Sequence, residues 1–85
     1  MEQPKELSFF IKDLKLSNSD EDTVRERFND KLKEFGYTLI DDTAVLRNNK
    51  ISSMRGLEIK TQEEVEMYVF AKETDKGLFV SIKIL

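Results

Sequence analysis

Arg47, Lys50 and Arg55 stand together in Thr43–Leu57, a stretch that contains no acid, with Asn48, Asn49, Ser52 and Ser53 among them. Guanidinium and ammonium groups hold phosphate oxygens through charge-assisted hydrogen bonds, and the Asn and Ser side chains would widen the donor set. Gly56 permits close approach of a backbone. With Lys60 just beyond, these residues form a candidate nucleic-acid contact, for which Tyr37 or Tyr68 would offer a stacking ring. The attraction is limited, because counterion release scales with the number of phosphates neutralised and the stretch has few cations. No RNP-like alternation of basic and aromatic residues accompanies it. A solvated connection between two strands accounts for the same residues.

Other chemistry is sparse. The chain has no His and no Cys, which removes the usual neutral-pH base, the thiolate nucleophile and the two favoured zinc ligands. Ser8, Ser17, Ser19, Ser52, Ser53 and Ser81 lie in no G-x-S-x-G elbow, and Gly36, Gly56 and Gly77 are isolated, so no phosphate loop is formed. Asp20-Glu21-Asp22 lacks the alternating oxygens and central glycine of a calcium loop and suits a helix start. Asp41-Asp42 suits a turn. Glu63, Glu64 and Glu66 read as one solvated edge that discourages strand addition. The expectation is a non-enzymatic chain that uses no cofactor and no metal.

The elements that would position these residues belong to a chain of 85 residues and 10.0 kDa, 39% hydrophobic and 36% charged. That length gives one small domain, 1–85, burying roughly 60–65% of its unfolded surface. Net charge is −3 with a pI near 5.0, the wrong sign for a generic nucleic-acid binder and too mild for a DNA mimic. The acids concentrate early: residues 1–42 carry net −4 and residues 43–85 net +1. No thiols for disulfides, no basic-then-apolar leader in Met-Glu-Gln-Pro-Lys-Glu and no apolar run of the ~20 residues that span a bilayer predict a cytoplasmic location with no membrane contact. The size and the Lys/Glu/Asn-rich composition resemble those of small accessory or inhibitor proteins of bacteria and their phages, though no motif carries the likeness.

Leu7–Leu16 has two readings. With period two, Leu7, Phe9 and Ile11 share a face, and a bulge near Lys12-Asp13 shifts the pattern to Leu14 and Leu16. With the helical period, Leu7, Phe10, Ile11 and Leu14 form a stripe behind Pro4. The Phe9-Phe10-Ile11 cluster favours a strand. Ser19–Phe35 is a helix: Val24, Phe28, Leu32 and Phe35 make one core-facing stripe, Ser19 caps with Asp22 in a capping-box-like place, and Gly36 ends it. Strands follow at Tyr37–Ile40 and Thr43–Leu46 around the Asp41-Asp42 turn. After the Asn48-Asn49-Lys50 turn, Leu57 and Ile59 alternate with Glu58 and Lys60. Val65, Met67, Val69 and Ala71 then alternate with Glu64, Glu66, Tyr68, Phe70 and Lys72. Asp75-Lys76-Gly77 turns the chain into a last strand with Leu78, Val80, Ile82 and Ile84 on one face.

The predicted class is α+β: one amphipathic helix on a mainly antiparallel sheet of four to five strands, ordered β-α-β-β-β-β. A single helix covers one sheet face. Tyr68, Phe70, Phe79 and Leu85 point to the other, as does one of the adjacent Phe9 and Phe10. They form a candidate partner surface, unless the Asn48–Arg55 loop folds over it. The functional expectation is a protein-interaction module that binds a partner protein or a second copy of itself through a sheet face or edge. The alternative is nucleic-acid contact through Arg47, Lys50, Arg55 and Lys60.

Overall fold

A computed structural model of the chain describes residues 5–41 and 43–85. The Met1–Pro4 stretch, read above for a leader and a helix start, and Asp42 of the expected turn lie outside the described residues. The described elements run β1 (Lys5–Lys12), α1 (Glu21–Glu34), β2 (Tyr37–Leu39), β3 (Ile51–Glu58), β4 (Glu63–Thr74) and β5 (Gly77–Ile84). The five strands form one sheet in the order β1-β5-β4-β3-β2, and every neighbouring pair is antiparallel. This is the α+β architecture the pattern predicts. The sheet curls around its helix far enough for Lys5 Nζ to come within 3.6 Å of Glu58 Oε2, although two strands separate them.

The inner face is apolar because strand side chains alternate. Ile11 of β1, Met54 of β3, Met67, Val69 and Ala71 of β4, and Leu78, Val80, Ile82 and Ile84 of β5 are buried. Val24, Phe28 and Leu32 of α1 close over them, and Tyr37 completes the core. Phe9 points inward as well, its ring 5.8 Å from Phe28 and 5.7 Å from Phe35. Leu7–Lys12 is therefore a strand.

Four local expectations change. No bulge carries Leu14 inward: the backbone takes a left-handed turn at Asp13 (φ 62°), and Asp13 N–H donates to Lys76 O at 2.9 Å. Leu14, freed from the strand, drops into the core. The helix cap is Asp20, one residue after Ser19; its carboxylate accepts the Thr23 N–H at 2.7 Å. Phe35 ends the apolar stripe 43% exposed, because it is the C-cap and its ring lies over Phe9 at the rim of the core. Thr43–Leu46 forms no strand: Asp41 Oδ1 accepts from both Thr43 N and Thr43 Oγ1, holding a turn, and Ala44 and Leu46 pack against the core from an irregular segment. The strand lies further on, at Ile51–Glu58, where only Met54 and Gly56 are fully buried.

Candidate functional site

Alternation that buries one set of side chains exposes the other, and β1, β5, β4 and β3 present a four-strand face away from α1. Cross-strand register arranges that face in rows. Phe10 sits opposite Phe79, which sits opposite Lys72. The next row reads Ser8, Ser81, Phe70, Ile51, and the one after it Glu6, Lys83, Tyr68, Ser53. Arg55 is opposite Glu66 in the following row, where the Leu85 N–H donates to Glu66 O at 3.0 Å and continues the ladder beyond β5.

The apolar members are open. Phe10, Tyr68 and Phe79 are each about 40% exposed, Leu85 56% and Ile51 72%, while Phe70 is half-buried among them. Ser8 and Ser81 are short, so the surface dips between the aromatic rows. A shallow depression of about 510 Å³ runs along Ile51, Tyr68, Phe70, Ser81 and Lys83. Lys72 and Lys83 stand opposite Phe79 and Tyr68 in register, where a long aliphatic stem can lie along a ring with its charge kept in water. Charges of both signs, Lys72 and Lys83 with Glu6 and Glu66, border the apolar diagonal.

The structure therefore brings Tyr68, Phe70 and Phe79 together and places Leu85 at the end of the same face. It adds Phe10 and Ile51. Phe10 was one of two equivalent candidates until the register of β1 placed Phe9 inside. Ile51 was hidden in a segment read as a loop; its signal is the period-two spacing to Ser53 and Arg55. Among the described residues no loop covers the face, because the residues assigned to that cover from Ile51 onward are themselves β3.

The basic residues do not gather. Arg47 and Lys50 precede β3, Lys60 follows it, and the eight-residue strand between them is roughly 25 Å long at ~3.3 Å per residue. Arg55 lies within the strand, and its Nη2 is 3.0 Å from Glu64 Oε2. Tyr37, one of the two proposed stacking rings, is a core residue whose hydroxyl donates to Glu58 Oε2 at 3.4 Å. The Asp41 carboxyl is held below the usual carboxylate range by the Thr43 hydroxyl and N–H, with smaller help from the charges of Arg55 and Arg25. It serves as a turn anchor. Among the described residues no three metal-ligating side chains converge, and no helix is long and apolar enough to cross a membrane.

Comparison of the chain with protein-family models, curated proteins and solved structures gives no significant match.

Proposed function

We propose that this chain is a non-enzymatic protein-interaction module whose working surface is the sheet face opposite α1. One observation carries the reading: Phe10, Ile51, Tyr68, Phe70 and Phe79, drawn from four adjacent strands, share a face that no other described element covers. A contiguous apolar patch with a polar border is the usual composition of a protein-binding surface. The border carries both charge signs and so selects neither a polyanion nor a polycation. A second copy of this chain is the simplest occupant, since sheet-on-sheet packing about a two-fold axis sets an apolar diagonal on its own copy and needs no charge complement. The small size suits an accessory or inhibitor role.

Light scattering over a concentration series, with an apolar dye as a parallel probe, tests this. Association or dye uptake that disappears in Ile51→Lys and Phe79→Lys, with folding intact, supports the surface. A monomer that takes up dye in the same residue-dependent way assigns the face to a different protein. A monomer at every concentration that takes up no dye overturns the proposal. Salt-dependent oligonucleotide binding lost in Arg47→Ala and Arg55→Ala would transfer the function to the basic segment instead.

A further inference from the structure

The outward side chains of β4 carry opposite charges at their two ends. Lys72 closes the row of Phe10 and Phe79, and Glu66 closes the row that Leu85 joins. Both are exposed, and neither forms an ion pair among the described residues. They stand six residues apart on one strand, about 20 Å at ~3.3 Å per residue, too far to meet each other. Phe70 and Tyr68 lie between them, so β4 presents a cation, two rings and an anion in line. Beside it, β5 presents Phe79, Ser81, Lys83 and Leu85, apolar at both ends.

Such a line complements itself when reversed, and reversal is what a two-fold axis across the strands brings about. The curl of the sheet around α1 makes the outer face convex across the strands, so two such faces touch along β4 and β5 and not at their edges. Stacked sheets keep their strands within about 30° of one another, which lays β4 of one copy along β4 of the other. With the axis between Phe70 and Tyr68, Lys72 faces Glu66 of the second copy, Phe70 faces its Tyr68 and Phe79 faces its Leu85. Every one of these contacts occurs twice. An axis running along β4 would instead set Lys72 on Lys72 and Glu66 on Glu66. One running along the seam of β4 and β5 would set Lys72 on Phe79 and Glu66 on Leu85, leaving the charges without counterions.

Resting on the reading of this face as the working surface, we infer that its occupant is a second copy of the chain, turned about an axis across the strands so that Lys72 of each copy pairs with Glu66 of the other. The two ion pairs fix the orientation, and the rings between them supply the apolar contact.

Light scattering of the whole chain over a concentration series, with Lys72→Glu and Glu66→Lys measured singly and as an equimolar mixture, tests this placement. Each reversal sets like charges together at both symmetric pairs, so each variant alone is expected to dissociate about tenfold more readily than the wild type. The mixture is expected to recover wild-type association, because the two kinds of copy then meet with opposite charges at both pairs. A charge effect confined to one chain cannot be repaired by mixing. Should either single variant fail to fold, the double variant Lys72→Glu with Glu66→Lys restores both pairs and takes the place of the mixture. Association that mixing or the double variant does not restore overturns the placement, as does association that both reversals leave unchanged. If Phe79→Lys still abolishes association in those cases, the face remains the surface and only the orientation fails. A wild type that is monomeric at every concentration overturns the second copy as occupant, and dye uptake lost in Phe79→Lys then keeps the face for a different protein.

Discussion

Two glycines show how differently the same residue type can be required. Gly36 has φ +89° after the helix, with nothing within 4 Å of where a Cβ would stand. Gly77 has φ +153° at the start of β5, and a Cβ there would run into backbone: Ile11 O, with Asp13 N at 2.9 Å and the Lys12 Cα at 3.0 Å. The crowding arises because Gly77 pairs with Lys12 at the point where the chain leaves β1. Gly36→Ala carries only the left-handed penalty, about 1–2 kcal/mol. Gly77→Ala carries strained backbone, of order 1–3 kcal/mol, and in addition must push two strands apart. Urea unfolding is expected to rank Gly77→Ala well below Gly36→Ala, and Gly36→Asn between Gly36→Ala and the wild type, since Asn tolerates the left-handed region. Equal losses at the two glycines would mean that β1 yields at Lys12 without cost.

Helix α1 was the most legible element, and its cap carries a pH dependence. The Asp20 carboxyl is held below its ordinary range by the N–H and side-chain hydrogen bonds from Thr23. The folded chain therefore binds that proton less readily than the unfolded chain. The cap's contribution is complete above the ordinary aspartate pKa of about 3.9 and is lost as pH falls through the lowered folded value. Asp20→Ala is expected to lower the melting temperature at pH 7, with the gap to wild type closing as the pH approaches 3. Asp20→Asn keeps a capping oxygen that does not titrate, so its own cap contribution stays constant with pH. A gap for Asp20→Ala that stays the same from pH 7 to pH 3 would show that the Thr23 bond does not depend on charge. The helix was readable because Val24, Phe28 and Leu32 repeat at the spacing of a turn and Gly36 closes it. Neighbouring acids at Asp20, Glu21 and Asp22 left the cap position ambiguous by one residue. β4 and β5 were readable because each carries four inward apolar residues in strict alternation. β3 was not, because its buried positions are Met54 and Gly56, and a glycine contributes no hydrophobic signal. Thr43–Leu46 misled for the opposite reason: Val45 and its neighbours have strand-forming side chains, but Asp41 and Thr43 lock a turn ahead of them. That exchange hid Ile51, the most exposed apolar member of the candidate surface.

At the scale of the whole molecule, the sheet joins the two ends of the described chain, since β1 pairs only with β5. β4 and β5 meet through a two-residue turn, where the Thr74 hydroxyl donates to Gly77 O at 2.9 Å, so their pairing closes a very short loop. β1 can pair only after nearly the entire chain has been gathered. Loop-closure cost grows slowly with length, about 0.6 kcal/mol per doubling, but β1 must meet that cost before its own contacts return anything. The β4–β5 hairpin, with β3 added to it, is therefore expected to be formed in the folding transition state, with β1 docking later. Val69→Ala in β4 and Ile11→Val in β1 both shorten fully buried side chains and distinguish the two stages. Stopped-flow measurements across denaturant are expected to show Val69→Ala slowing folding, with a φ-value of roughly 0.5–0.8, and Ile11→Val mainly speeding unfolding, with a φ-value of about 0–0.3. A folding rate slowed as strongly by Ile11→Val would place β1 in the nucleus and make closure of the chain ends the first event. The order also bears on the open face. Phe10 joins Phe79 only when β1 docks, whereas Ile51, Tyr68 and Phe70 are assembled with β3 and β4. Loss of β1 would then remove one end of the apolar diagonal and leave the inward residues of β5 exposed, so variants that weaken β1 are expected to aggregate in proportion to their unfolding rate.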